Sequence, residues 1–600
     1  MSIFSIEPRR KVRRSKFHLN NEVKTTARFG EFTPILCEEV LPGDTWKIQT
    51  EQFIRFAPTL APVMHRINAT LHYFFVPNRL LMREDWESFI SPSGFRDEER
   101  QELPYVHFVK PADAEDAENS AYQTLCEHVF ASRLLNHLGF NFVGSESEWL
   151  DTGFDDDRFA LPLLPICAYW LIMQDYFLDE NQNDVRRIKK ELLELCRIGE
   201  CDFHDLYAKN VDIDYSVFES DFNGDYPATV VGFLCYILDL CKRCYEKDYF
   251  TSALPSTQRG DEVTIGGVER IDNAFAAVGG LTTHSSQVEV GGNVNAVYGL
   301  GVDKRAGEEA SQLQAIQSSD PLNVQSSSLR GTIDANQLAQ VGDENGQPLE
   351  INPVTINELR RAVKLQEFLE RSMRGGYRLI EQIFAHFGVV SSNKLLDRPQ
   401  FLGGNINPVT VTEVTGTAGT DITHLGEYSG HLQSFGGSRT VKFRSEEHGW
   451  LFCFLSVVPR TNYCQGLPRK FQRHDRFDFA WPEFAHLGEQ EVWINELYHS
   501  PSPSVDDQHE TFGYQSRYAE YKYIPSQVSG DFQSSLDYWT MARRFLNKPT
   551  LSNSFLQVSP TDETNTDIFT VQDDTDYLYC QFYHKILAQR CLPRFGVPML

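Results

Sequence analysis

Hydrophobic positions along this chain follow two patterns. The first alternates. Trp46, Ile48, Thr50, Gln52, Ile54 and Phe56 take every second position, the spacing of residues on one face of a strand. Leu578, Cys580, Phe582, His584, Ile586 and Ala588 repeat it near the end of the chain. Ile35, Cys37, Glu39 and Leu41 also alternate with their neighbours, and Pro42-Gly43-Asp44 then predicts a turn. The second pattern is a near-continuous apolar run. Leu71-His72-Tyr73-Phe74-Phe75-Val76, stopped by Pro77-Asn78, predicts a buried strand, and so does Trp450 to Val458. Strand signals bracket the molecule, which favours one sheet system closed by both ends over a row of independent domains. No internal repeat is evident, which argues against solenoids and propellers.

Helical signals lie between the strands. A short helix is expected over 86–90 and an apolar one over 165–176, with Pro165 at a start position where its missing N–H costs little. A charged helix follows near 186–196 and a buried one over 228–244. Thr355 and Glu358 form a capping box. It opens a helix expected to turn Leu359, Ala362, Val363 and Leu369 inward, and Gly375-Gly376 break that helix. A second helix is expected over 377–387, stopped by Gly388, and strands resume after Gly403-Gly404.

Composition changes abruptly after Asp248-Tyr249-Phe250-Thr251-Ser252-Ala253-Leu254-Pro255. Residues 261–354 hold two aromatics, Phe275 and Tyr298, and no Trp or Cys. At the chain average of 12% aromatic, about eleven would be expected in a stretch of that length. Such a stretch builds little core of its own and reads as a surface insertion.

The formal net charge is −27, so the chain as a whole does not coat nucleic acid. Its start is the exception. Arg9, Arg10, Lys11, Arg13, Arg14 and Lys16 stand against the single acid Glu7. They form a candidate basic arm over 1–29 that could touch phosphate. Arg543-Arg544 is a second basic candidate. The 12 cysteines lie mostly in apolar runs, and Cys241 with Cys244 is a lone C-x-x-C, expected to be a reduced pair. The basic start has no apolar stretch behind it that would make a secretory signal. The longest apolar stretch, 228–238, is too short to span a bilayer, and no membrane insertion is expected.

Signals for catalysis are weak. Phosphate-loop, dinucleotide, zinc-protease and nucleophile-elbow motifs are missing. Asp221, Asn223 and Asp225 resemble the start of a calcium loop, but Gly232 stands where the bidentate Glu would be. His474-Asp475, His486 with Glu489, and His509-Glu510 read as structural or solvated pairs. No catalytic residue, cofactor or metal is expected.

Blocks of sequence in fixed order carry a family resemblance. They include Phe32-Thr33-Pro34-Ile35, Glu39 to Asp44, Tyr73 to Leu80, Asp175 to Asn181, Asp248 to Pro255 with Gln258-Arg259-Gly260, and Ile356 to Arg360. Later come His386-Phe387-Gly388-Val389, Leu402-Gly403-Gly404, Gln465 to Arg469, Ala485 to Gln490, Phe512 to Gln515, Arg517 to Tyr521 and Pro593 to Pro598. Together they resemble the major capsid protein of the Microviridae, in its gokushovirus-like branch of small single-stranded-DNA bacteriophages. Two features depart from the family. Ser256 replaces its usual tryptophan, and residues 185–245 look longer and more helical.

The resemblance implies a mainly β fold: an eight-stranded jelly-roll β-barrel of viral capsid type with long helical and loop insertions. A single domain over 30–600 would carry insertions at 91–247 and 261–354, the second a surface-exposed protrusion at the three-fold axes that meets the host. The implied function is a structural capsid protein that self-assembles into a T=1 icosahedral shell of about 60 copies around a circular single-stranded DNA genome. Implied partners are further copies of the chain, the DNA genome, a small basic DNA-packaging protein, a pilot or minor virion protein and a bacterial surface receptor. The expected location is the virion, and the host cytoplasm during assembly. The alternative is a β-rich carbohydrate-binding or carbohydrate-active protein, which would carry its aromatics on exposed loops rather than in buried strands.

Overall fold

The structure, a computed structural model, describes residues 14–90, 102–108, 116–140, 160–179, 185–207, 230–258, 275–277, 281–290, 293–302, 340–342, 356–374, 384–386, 398–417, 425–499, 510–560, 563–570 and 575–595. The chain divides into two compact units, Met1–Thr257 with Ser372–Leu600, and Gln258–Arg371.

The first unit is mainly β. Its larger sheet has seven strands. Ser15–His18 and Asn21–Ala27 both pair with Leu578–Arg590, which pairs with Thr45–Phe56. Thr45–Phe56 then pairs with Tyr428–Gly437 and Val441–Arg444, and Thr410–Thr415 forms the far edge. The strands thus begin at Ser15, inside the stretch read as a basic arm. The smaller sheet runs Gln400–Pro408, Ile67–Pro77, Gly449–Pro459, Thr33–Val40. Every pairing in both sheets is antiparallel. These two sheets face each other, and among the described strands no pairing closes them into a barrel.

The two sequence patterns map onto these sheets. In Thr45–Phe56 the even-numbered residues are buried and the odd ones are half-buried or exposed. Trp46, Ile48, Ile54 and Phe56 meet Leu71, Tyr73, Leu451 and Cys453 of the smaller sheet in one core. The smaller sheet is covered on its other face too. Phe74, Val76, Phe452 and Phe454 pack into a second core with the apolar helix Leu163–Tyr176 and the helix Val230–Ile237. Its two central strands therefore need apolar residues at nearly every position. Where Gly449 crosses Val76, a Cβ would stand 2.2 Å from the Val76 carbonyl oxygen, so the close approach requires glycine.

Polar contacts fasten the layers. Tyr73 OH donates to Thr50 Oγ1 at 2.6 Å, and that hydroxyl lies 2.8 Å from His584 Nδ1. His584 Nε2 is 3.1 Å from the Ile35 carbonyl, which makes Nε2 the protonated nitrogen and Nδ1 the acceptor. Burial holds the His584 pKa down at about 4. On the helical side, Tyr169 OH donates to Phe32 O at 3.0 Å, and Arg133 bridges Glu31 at 2.8 Å and Asp576 at 3.0 Å.

The Asp248–Pro255 stretch anchors a third core, with the strand pair Glu489–Trp493 and Thr511–Ser516. Asp248 Oδ1 accepts from the Phe250 and Thr251 N–H groups at 2.9 and 2.8 Å, and Oδ2 accepts from Tyr463 OH at 2.7 Å.

Two helical expectations need correction. The helix expected over 228–244 ends at Ile237. Beyond it the backbone bridges instead: Arg243 N–H donates to Gly30 O, and Tyr245 N–H to Leu556 O. In Ile356–Arg374, Leu359 and Val363 are exposed, not inward. Periodicity says which residues share a face, not whether that face is covered. The helix expected over 377–387 and the calcium-like turn at 221–225 fall mostly or wholly outside the described residues.

In the second unit, Leu281–Val290 and Asn293–Val302 pair as an antiparallel hairpin, and Phe275–Ala277 pairs with Gln340–Gly342.

Candidate nucleic-acid interface

The uncovered face of the seven-stranded sheet holds the residues that the alternating pattern skips. Register places Lys47, Gln49, Glu51, Phe53 and Arg55 beside Leu587, Lys585, Tyr583, Gln581 and Tyr579 on one face. Phe435 lies opposite Phe53, Lys442 opposite Lys47, and Arg444 opposite Thr45. Lys16 joins opposite Gln589, Glu22 opposite Tyr583 and Lys24 opposite Gln581.

This face is basic within an acidic chain. Its strands contribute Lys16, Lys24, Lys47, Arg55, Lys442, Arg444 and Lys585, against Glu22 and Glu51. All nine are exposed. Lys24 pairs with Glu22 at 3.5 Å and Lys585 pairs with Glu51. Among the described residues, no carboxylate pairs with Lys16, Lys47, Lys442 or Arg444.

Aromatic rings interleave with these cations. The Arg55 guanidinium sits 4.9 Å from the centre of the Phe53 ring, which meets the Phe435 ring at 6.3 Å. Lys585 Nζ lies 5.8 Å from the Tyr583 ring. Tyr579 and Phe435 are 48% and 81% exposed, so both present open surface to a planar partner. Cations that track a phosphate backbone, beside rings on which bases stack, are what a single strand requires.

Of the expected arm residues, Lys16 lies on this face. Arg14 is exposed at its border, where a Cβ on Gly43 would stand 2.9 Å from Arg14 Nη2. Arg9, Arg10, Lys11 and Arg13 lie outside the described residues. Arg543-Arg544 does not join them. Arg543 is buried, with its guanidinium 4.1 Å from the Phe555 ring and donating to Phe555 O, while Arg544 pairs with Asp537 and Asp567. Lys24, Lys47, Arg55, Lys442, Arg444 and Lys585 were missed. Their signal is the outward half of each alternating strand, which register alone assembles.

Other chemical candidates stay apart. All twelve cysteines are free thiols, and burial pushes Cys244 up to about 12 and Cys241 higher still. Among the described residues, no three His, Cys, Asp or Glu side chains could hold a metal together. No described helix is long and apolar enough to cross a membrane.

Comparison with known proteins agrees with a structural role. The family model for the capsid protein (F protein) of phages matches residues 6–122 and 158–600. The whole chain is 31% identical to capsid protein VP1 of Chlamydia phage 1, over 97% of that protein. Capsid protein VP1 of Bdellovibrio phage phiMH2K is 30% identical over 98% of this chain and 95% of its own length. The chain thus belongs to the phage F-protein family of capsid proteins, as a structural subunit and not an enzyme.

Proposed function

We propose that this chain is the major capsid protein of a small phage, and that it assembles with further copies into a T=1 icosahedral shell around a circular single-stranded DNA genome. The observation that carries this reading is the basic, aromatic face of the seven-stranded sheet in a chain of net charge −27. That face turns inward and holds the genome, with the arm residues Arg9, Arg10, Lys11, Arg13, Arg14 and Lys16 extending the contact. A small basic packaging protein supplies further neutralisation, and a pilot or minor virion protein joins the particle. The virion is the location of the finished protein, and the host cytoplasm that of its assembly.

Strand order supports an eight-stranded jelly roll. Ser15–His18 with Asn21–Ala27 counts as one interrupted strand, Tyr428–Gly437 with Val441–Arg444 as another, and Thr410–Thr415 stands outside the count as an extra edge strand. The larger sheet then runs first, eighth, third, sixth, and the smaller runs second, seventh, fourth, fifth. Two interlocked Greek keys have that order. Residues 261–354 are the proposed outward protrusion that meets the host receptor. Their poverty in aromatics and their separation into a unit of their own, Gln258–Arg371, support this.

Anisotropy titration of a labelled single-stranded oligonucleotide across a salt series tests the genome-binding face. Each lost phosphate contact lowers the salt slope by about 0.7. The K47Q/K442Q/R444Q variant should therefore lose a slope of about 2. An unchanged slope and affinity would remove this face from the genome contact.

A further inference from the structure

One group of apolar side chains belongs neither to the cores nor to the basic face. It lies on the irregular stretch 469–487 and beside it at Ile524. Phe471, Phe477, Phe479, Trp481, Leu487 and Ile524 are between 46% and 86% exposed.

The stretch is pinned in place by hydrogen bonds. The His474 and Asp475 N–H groups both donate to Asp478 Oδ2 at 2.7 Å. Trp481 Nε1 donates to Arg476 O at 2.8 Å, and the Trp481 N–H to Tyr518 OH at 3.2 Å. The Arg473 guanidinium is held between the rings of Phe479, at 5.1 Å, and Tyr521, at 4.5 Å. Its aromatics are therefore fixed outward in advance, which removes much of the ordering cost of binding.

A recess of about 370 Å³ opens beside these rings, lined by Arg473, Tyr521, Ile524 and Pro525. Two acids with largely buried side chains stand in its wall, and both are paired. Glu520 accepts from Gln490 Nε2 at 2.6 Å and lies 3.8 Å from Arg473. Glu496 accepts from Tyr249 OH at 3.0 Å and from the Trp493 N–H at 3.1 Å, and it pairs with Arg469 at 3.4 Å. With these acids paired, the recess has room for an apolar or aromatic side chain against Tyr521, Ile524 and Pro525, beside a rim that carries Lys470 and Arg473.

We infer that this surface is a subunit contact, covered in the shell by a second copy of this chain with one of its side chains seated in the recess. The inference rests on the capsid reading. Area selects the occupant. At about 200 Å² per large side chain, the six exposures add to roughly 700 Å². That exceeds the ordinary largest apolar patch of a monomer, roughly 300–600 Å², and approaches the about 800 Å² that each partner contributes to a stable protein interface. In a closed shell every copy must bury such surfaces against its neighbours.

Hydroxyl-radical footprinting of the unmodified chain, free and in assembled particles, tests the contact without any substitution. Oxidation of Phe471, Phe477, Phe479 and Trp481 should fall on assembly; equal oxidation in both states overturns the inference. As a second arm, the L487E/I524R variant changes only exposed positions. It should melt like the wild type and give about ten-fold fewer particles, the effect of one lost interface hot spot. Wild-type particle yield from that variant also overturns the inference. If the unmodified chain forms no particles at all, the capsid reading fails first and the contact falls with it.

Discussion

Strand Gly449–Pro459 and strand Thr45–Phe56 sit in facing sheets, and their sequences differ as their surroundings do. The first is buried at every position but Trp450, because one face meets the opposite sheet and the other meets helices. The second alternates, because nothing among the described residues covers its outer face. A strand covered twice has no position left for display. A strand covered once keeps half its residues for recognition. The difference explains how an acidic chain can carry a basic platform: the six outward positions of Thr45–Phe56 lie outside the core, and the register gathers their chemistry with that of Leu578–Arg590.

The contrast should be largest in stability. Phe454→Ala removes a ring from the doubly covered sheet, where it meets Phe452 at 5.3 Å and Tyr169 at 5.6 Å. It should cost about 3–5 kcal/mol. Thermal unfolding of the soluble subunit would show it, and a loss below about 1 kcal/mol would mean the helical layer is not packed as described.

Acid should act next, through the buried histidines. The folded-state pKa of His584 is about 4, against 6.5 for an ordinary histidine, and His72 is held lower, at about 3, by burial and by Arg243. Both are neutral in the folded chain, and the unfolded chain binds more protons between those values. Their contribution is complete above pH 6.5 and drains away as pH falls, toward about 4 for His584 and about 3 for His72. For His584 the loss approaches 3 kcal/mol. His584→Gln should flatten the acid limb of a melting-temperature profile by that share. An unchanged profile would show that His584 is not the group that acid attacks.

Much of this architecture was legible in the sequence, and the reasons are specific. The buried set of Thr45–Phe56 could be read residue by residue because its period is two. The apolar runs at 71–76 and 450–458 identified the covered sheet. Direction was less legible. The apolar spacing of Leu359 and Val363 was real, but spacing alone cannot say that the face stays exposed. Arg543 was misread because a cation beside another cation suggests phosphate, whereas three aromatic rings, Tyr245, Phe545 and Phe555, enclose it. The interface was the least legible part. Lys47 and Lys585 stand far apart in sequence, and only the pairing of Thr45–Phe56 with Leu578–Arg590 brings them to one surface.

A single substitution on the bare face should separate its two properties. Phe435 is 81% exposed and touches little besides Phe53. Phe435→Ala should leave stability within about 0.5 kcal/mol. It should weaken single-stranded DNA binding by about 1–3 kcal/mol, the value of one stacked base. Loss of stability without loss of binding would mean that the ring packs and does not stack.

The smallest effect concerns sign more than size. Lys585 and Glu51 are each about half exposed, so their ion pair adds between about 0 and 1 kcal/mol to stability. On the basic face, however, Glu51 stands among cations and repels phosphate while occupying Lys585. Glu51→Gln removes that repulsion and frees the lysine. Melting should hardly change, while single-stranded DNA binding should tighten and its salt slope should steepen by about 0.7, one added phosphate contact. A general gain in stickiness would steepen nothing. If Glu51→Gln weakens binding, the acid is orienting Lys585 toward the strand, and the platform depends on placed charges more than on its net sign.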